Sequence, residues 1–196
     1  TKDTRFDFLS ADGLNRNAVL DHLMVGLQRS SHEDIVKRPV SWMPGVEEYL
    51  YIRLNESDTG TCSMKFTPSI ASMTCISLQE AWDLAYSHMQ SETVVESLSS
   101  VLSGMMGTDE SLFEDSFPLY VISNKNKWRG ASAVLNTEAM NSFARKHHCK
   151  TITVLPSSIH EALLIPDTGN DDSFSAAMLS QMVNDINCST VDPVDQ

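Results

Sequence analysis

Residues 151–167 read TITVLPSSIHEALLIPD, and this stretch indicates most clearly how the chain folds. Two runs of β-branched and aliphatic residues, 151–155 and 159–165, predict two strands, because such side chains pack well on a pleated surface. The turn-forming residues 156–158 join the two runs. Pro166 ends the second run, since proline has no N–H to continue a ladder of hydrogen bonds.

A similar pattern precedes this stretch. LYVIS (119–123) predicts a strand, the polar residues 124–129 predict a turn, and GASAVL (130–135) predicts a returning strand. Apolar residues at helical spacing then predict a helix over about 137–147.

An earlier hairpin has the same order of features. YLYIRL (49–54) and TCSMKF (61–66) predict two strands around a polar turn, and a helical pattern follows. The two strand–strand–helix stretches are compatible with two related ββα-type halves, 46–108 and 117–188. A chance likeness between two hairpins also explains so short a match, and both interpretations stay open.

Helical spacing of apolar residues predicts helices in four other places, 15–29, 77–89, 94–106 and 173–187. Ser77 and Glu80 have the spacing of a capping box at the start of the second of these helices. Gly107 stands where a glycine would end the third.

Together these elements predict an α+β fold. We expect one mixed or antiparallel sheet of about six strands with four to five helices, because strands and helices occur in separate runs. Residues 1–45 are expected to form an N-terminal lead-in with one helix, and 46–196 a single compact domain.

The chain has 196 residues, a formal net charge of −12 and 41% hydrophobic residues. An apolar content in the globular range favours a folded chain over a disordered one. The negative charge repels phosphate backbones and anionic membranes, so we predict neither nucleic-acid nor membrane binding. No apolar run approaches the roughly 20 residues of a membrane-spanning helix. The charge leaves open a basic protein partner.

Four cysteines, Cys62, Cys75, Cys149 and Cys188, form no CxxC motif, and no secretory signal opens the sequence. This usage favours reduced thiols and a cytoplasmic protein. A secreted protein with two disulfides is the alternative.

The densest polar cluster contains Ser157, Ser158, His160 and Glu161. A hydroxyl, an imidazole and a carboxylate suggest a hydrolase, since a serine nucleophile needs a base and the base an orienting acid. Adjacent residues of a strand point to opposite faces, however, so His160 and Glu161 could not pair. We therefore assign no catalytic residue, keep His160, Ser157 and Ser158 as candidates, and predict a binding or structural role for the loop.

The tract His147-His148-Cys149 resembles a metal site, but neighbouring residues of a helix diverge by about 100° and do not converge on one ion. Positive charge at a helix C-terminus explains the two histidines. No GxxxxGK[ST] or GxGxxG motif supports phosphate binding. We predict no metal and no cofactor.

Two tryptophans, Trp42 and Trp128, fall in predicted loops, where exposed aromatic side chains can anchor a protein partner. Acidic clusters at 109–115 and 167–172 raise a second possibility, an acidic DNA mimic that occupies a basic protein. Clusters of this size are also common in acidic proteins.

The strings LYVISNK, RGASAVL, TVLPSSIHEALLIPD and, near the end, NDIN followed by VDP resemble the bacterial family called domain of unknown function 5688. The likeness is strongest over 117–192 and weaker over 46–116, where His88 stands in place of an expected Asn. The resemblance implies a bacterial cytoplasmic protein, often associated with mobile elements, and implies no activity.

The sequence thus favours a non-enzymatic interaction or accessory protein with an unidentified protein partner. Ser157, Ser158, His160, Glu161 and Trp128 are its candidate binding residues. The rivals are a small hydrolase that uses His160 with Ser157 or Ser158, and the DNA mimic.

Overall fold

The computed structural model describes residues 9–10, 13–57, 60–107 and 119–167. Its fold is α+β, as predicted, but the strands form two four-stranded antiparallel sheets and a two-stranded ribbon rather than one sheet. The predicted helix over 173–187 lies outside the described residues.

The chain divides into two compact units, with the boundary between Ser91 and Glu92. In the first unit, the elements in chain order are β1 (Leu9–Ser10), β2 (Gly13–Leu14), α1 (Arg16–Asp21), β3 (Leu23–Arg29), β4 (Lys37–Pro39), β5 (Val46–Ser57), β6 (Gly60–Lys65), α2 (Pro68–Thr74) and α3 (Leu78–Glu92).

Strand β5 is the centre of the first sheet. It pairs with β3 along one edge and with β4 and then β6 along the other, always antiparallel. Leu50 and Ile52 of β5 and Leu23 and Val25 of β3 are fully buried. The predicted hairpin over 49–66 is confirmed by the pairing of β5 with β6.

The predicted helix over 15–29 is wrong beyond its first turns. Asn15 caps α1 by accepting hydrogen bonds from the backbone N–H groups of Asn17 and Ala18, and the helix ends at Asp21. Apolar residues of 23–29 then pair with β5, because backbone pairing in a buried sheet outweighs a helical spacing. Residues from the predicted lead-in thus share a sheet with β5.

In the second unit, the elements are β7 (Thr93–Ser97), α4 (Leu98–Met106), β8 (Tyr120–Asn124), a 3-10 helix (Gly130–Leu135), α5 (Thr137–Lys146), β9 (Thr151–Pro156) and β10 (Ala162–Asp167). The sheet order is β7-β8-β10-β9, and all neighbours are antiparallel. Ile122 and Leu164 are fully buried at its centre.

The predicted start of α3 and the predicted end of α4 are confirmed, but the predicted start of α4 is wrong. Helix α3 begins at Leu78 with the backbone N–H of Glu80 bonded to Ser77 Oγ, and Gly107 ends α4 with φ +62°. The predicted helix over 94–106 begins only at Leu98, because the β-branched residues before it pair with β8 as β7.

The predicted strand over 130–135 is also wrong. GASAVL forms a 3-10 helix whose first five residues are buried, and the chain enters it through Arg129 with φ +50°. Residues 119–135 therefore do not form a hairpin like the one at 49–66. The helix predicted over 137–147 is confirmed as α5.

Candidate functional site

The candidate residues of 157–161 lie in the connection between β9 and β10. The sequence placed His160 and Glu161 on a strand, but β10 begins only at Ala162, so both belong to the loop. Ser157 is buried at 3% exposure, whereas Ser158, His160 and Glu161 are half-buried. The argument from opposite faces of a strand therefore does not apply here.

Ser158 closes a turn within this loop. Its Oγ accepts a hydrogen bond from the backbone N–H of His160 at 3.0 Å, and its own backbone N–H donates to the carbonyl of Glu161 at 3.2 Å. Short polar side chains often satisfy turn backbone groups in this way. The contact between Ser158 and His160 thus runs to the histidine backbone.

The loop is also tied to the segment that enters the 3-10 helix. Ser123 Oγ donates to the carbonyl of His160 at 2.7 Å, and the backbone N–H of Ala131 donates to the carbonyl of Ile159 at 3.2 Å. The backbone N–H of Arg129 donates to His160 Nδ1 at 3.1 Å. These bonds hold the loop and the imidazole in one orientation.

Gly130 makes this close approach possible. A Cβ at this position would lie 2.3 Å from Ser123 Oγ, 2.5 Å from the backbone nitrogen of Asn124 and 2.8 Å from the carbonyl oxygen of His160. Only a residue without a side chain fits where two backbone segments come so near.

Asn124 holds the backbone of Trp128 in the turn after β8. The Asn124 side chain is buried; its Nδ2 donates to the Trp128 carbonyl at 2.8 Å and its Oδ1 accepts from the Trp128 N–H at 3.1 Å. The Arg129 guanidinium lies 5.0 Å from the centre of the Trp128 ring. The backbone of the half-buried Trp128 is therefore held directly before Arg129, whose N–H bonds His160.

The sequence patterns did not identify Ser123, Asn124, Arg129 and Gly130 as part of this site. The available signal was a pair of polar residues, Ser123 and Asn124, at the end of a buried strand and a glycine soon after them. The turn prediction for 124–129 was correct in position, but periodicity carries no information on which loops meet in space.

The charges of the site include one perturbed carboxyl. Burial raises the pKa of Glu161 above its ordinary value, although the charges of Lys127 and His160 act in the opposite direction. Lys127 Nζ also lies 3.3 Å from Glu96 on β7.

The hydrogen bond from Arg129 determines what the His160 ring can do. Because Nδ1 accepts an N–H, the neutral ring holds its proton on Nε2. In this form neither nitrogen has a lone pair left to remove a proton from a serine hydroxyl. The geometry thus does not suit a general base at Nδ1.

The tract at 147–149 follows the end of α5. The His147 ring lies 4.4 Å from both the Tyr120 and the Phe143 ring centres, and burial lowers its pKa. His148 adopts a left-handed conformation with φ +51°, and Cys149 is buried. Within the described ranges, no group of three His, Cys, Asp or Glu residues is placed to hold a metal ion.

Three of the cysteines, Cys62, Cys75 and Cys149, are free thiols, so the alternative with two disulfides does not apply. The acidic residues of 109–115 and 168–172 lie outside the described residues. In the part of the chain that the structure describes, no helix has the length and apolar character needed to span a membrane.

Two buried glutamates of β5 organise polar clusters in the first unit that the sequence did not indicate. Glu48 Oε1 accepts from Arg38 Nε at 2.5 Å, its Oε2 accepts from the Tyr86 hydroxyl, and the Arg38 guanidinium stacks 4.1 Å from the Trp82 ring centre. Arg38, Trp82 and Tyr86 are among the residues that line a surface cavity of about 360 Å³.

The neighbouring Glu47 belongs to the second cluster. Its Oε1 accepts from Gln28 Nε2 at 2.8 Å, from Ser31 Oγ at 2.8 Å and from Lys37 Nζ at 3.2 Å. Burial favours the neutral acid, but these three donors outweigh it and lower the pKa of Glu47.

A family model, described as a family of unknown function (DUF5688), matches residues 48–196. The chain belongs to DUF5688. This confirms the resemblance seen in the sequence. The DUF5688 match contains the loop 157–161 and all of the second unit, whereas β3 and β4 precede it although both pair with β5. No curated protein and no solved structure matches the chain.

Proposed function

We propose that this DUF5688 protein is a non-enzymatic interaction or accessory protein that binds a protein partner through the loop 157–161 and Trp128. The family resemblance suggests a bacterial cytoplasmic setting and an association with mobile elements, and we include both in the proposal.

The observation that carries the proposal is the hydrogen bond from the Arg129 N–H to His160 Nδ1. It supports a binding role in two ways. It engages the Nδ1 lone pair that a general base needs, and it fixes the orientation of the half-buried imidazole. A surface ordered before binding loses less conformational entropy when the partner arrives.

The composition of this surface supports a protein ligand. Tryptophan and arginine are the residues that most often dominate the energy of protein interfaces, and Trp128 and Arg129 stack on each other here. The net charge of −12 favours a basic partner through long-range attraction.

Affinity capture with a matched pair of tryptophan variants tests this proposal. Tagged wild type, Trp128→Ala and Trp42→Ala are used as bait in a native bacterial lysate, and the bound proteins are quantified by mass spectrometry. Trp42 is 50% exposed and lies in the other unit, so it controls for loss of any accessible indole. We expect at least one protein to be lost with Trp128→Ala and retained with Trp42→Ala. Identical capture by all three baits would contradict the proposal.

A small hydrolase that uses His160 with Ser157 or Ser158 is the second candidate. The observation in its favour is the raised pKa of Glu161 beside His160, since perturbed carboxyls occur often in active sites. Ester, peptide and phosphoester substrates are tested with wild type, Ser157→Ala and Ser158→Ala. Turnover that either substitution abolishes would establish the hydrolase; equal background rates would exclude these serines as nucleophiles.

A further inference from the structure

Strand β9 forms one edge of the second sheet. It pairs with β10 over all six of its residues, and among the described residues it has no second neighbour. An edge strand presents a row of backbone N–H and C=O groups that another strand can bind.

Two prolines determine which backbone groups of β9 point outward. Pro156 is paired with Ala162, and Pro166 with Ile152. Since proline has no N–H, both pairs must be of the type that exchanges no hydrogen bonds across the β9–β10 ladder. Backbone groups of a strand alternate in direction, so Ile152 and Val154 direct their N–H and C=O groups to the open edge.

The side chains of β9 include no charged group that would hinder another strand from pairing with this edge. The strand TITVLP contains no charged residue, whereas the opposite edge, β7, carries Glu96. Natural proteins usually protect edge strands with lysines, internal prolines or bulges. In β9 the one proline stands at the last position, and the register with β10 has no irregularity.

We propose that β9 is a self-association surface, on which two copies of the chain pair their β9 strands antiparallel about a twofold axis at Thr153. In this register Ile152 of one copy faces Val154 of the other, and the two equivalent pairs exchange four backbone hydrogen bonds. The sheets of the two second units then continue into one another.

The absence of charged side chains on β9 favours a second copy over a basic peptide as the occupant of this edge. A basic segment would find no carboxylate on β9, while a second β9 places no ionisable side chain opposite a like charge. The same register brings Lys150 of one copy beside Pro156 of the other, at the start of the loop that carries Glu161. Because each copy carries −12 overall, salt should strengthen the association by screening repulsion.

Because Thr153 lies on the proposed twofold axis, charged substitutions at this position test the pairing. Thr153 is exposed, and the self-pair Thr153–Thr153 is of the closely spaced, non-hydrogen-bonded type. Thr153→Lys or Thr153→Glu therefore places like charges directly opposite each other. A mixture of the two variants places opposite charges there. Ser142→Lys, on the exposed side of α5, is the matched control for an added charge.

Sedimentation velocity of the full chain over a range of concentrations and salt is the measurement. We expect wild type and Ser142→Lys to dimerise, each Thr153 variant to associate at least tenfold more weakly, and the mixed variants to form a heterodimer. A wild type that stays monomeric at every concentration, or a dimer that Thr153→Lys leaves unchanged, would overturn the proposal.

Hydrogen exchange distinguishes self-association from a strand supplied by the same chain. The amides of Ile152 and Val154 should gain protection as the protein concentration rises. Protection that is independent of concentration would mean that the chain's own residues cover the edge, and the proposal would be wrong. Trp128→Ala should dimerise normally, because Trp128 is not part of β9. Loss of dimerisation therefore tests the pairing of β9, and loss of a captured protein tests the proposed function, so the two can fail independently.

Discussion

The backbone N–H of Arg129 and Nδ1 of His160 lie 3.1 Å apart and form a hydrogen bond between residues 31 positions apart in the sequence. This bond joins the turn after β8 to the loop after β9. It sets the tautomer of the ring and fixes the orientation of the imidazole relative to the turn, so it determines both the chemistry and the shape of the candidate site.

The neutral ring of His160 should carry its proton on Nε2. Long-range ¹H–¹⁵N correlation spectra of the histidine side chains distinguish the two tautomers directly. We expect the pattern of an Nε2–H ring for His160. The pattern of an Nδ1–H ring would show that the bond from Arg129 is absent in solution and would restore the general-base hypothesis.

Gly130→Ala should lower the free energy of unfolding by about 1–3 kcal/mol, the usual range for overpacking. The added Cβ would meet Ser123 Oγ and the Asn124 backbone nitrogen, at 2.3 and 2.5 Å. Urea denaturation measures the change. Gly104→Ala is the matched control: apart from its chain neighbours and the backbone of its own helix, no atom of the described residues lies within 4 Å of a Cβ at this position in α4, so alanine should stabilise by about 0.5–1 kcal/mol. Equal effects of both substitutions would contradict the close approach at Gly130.

Stability should fall in alkaline solution because of Tyr86. Burial and the bond to Glu48 raise the pKa of Tyr86 from 10.0 to about 12. Between these values the unfolded state loses its proton while the folded state retains it, so unfolding becomes more favourable as pH rises. The urea midpoint should therefore decrease from pH 9.5 to 11.5, and less steeply in Tyr86→Phe. Parallel profiles for both proteins would show that Tyr86 titrates normally.

Stability should also fall in acid because of Glu47. Its folded-state pKa lies below the ordinary value of 4.5, so the carboxylate stabilises the fold above pH 4.5. This contribution is lost as pH falls through the folded-state pKa. Glu47→Gln should be less stable than wild type at pH 7 and should lose less stability on acidification. The comparison uses urea midpoints at pH 7 and pH 3, and a variant as acid-sensitive as wild type would contradict it.

Sequence patterns predicted the elements whose partners are close in the chain. The hairpin of β5 and β6 and the helix α5 depend on local turn chemistry and on a regular spacing of apolar residues. The same reasoning failed at 23–29 and 93–97, where a helical spacing of apolar residues coincides with runs that can equally form strands. Pairing of these segments with β5 and β8 decided their structure, and no local pattern shows that a distant partner strand exists.

The sequence by itself determined the α+β class, the family, the acidic charge and the presence of a turn between the two strands of 151–167, because composition, turn residues and short-range periodicity are encoded locally. Only the tertiary structure decided that GASAVL becomes a buried 3-10 helix and that Arg129 bonds His160. It also decided that the prolines at 156 and 166 leave Ile152 and Val154 facing outward. These features depend on contacts between residues far apart in the chain, whose distances and directions are set only when the sheets form.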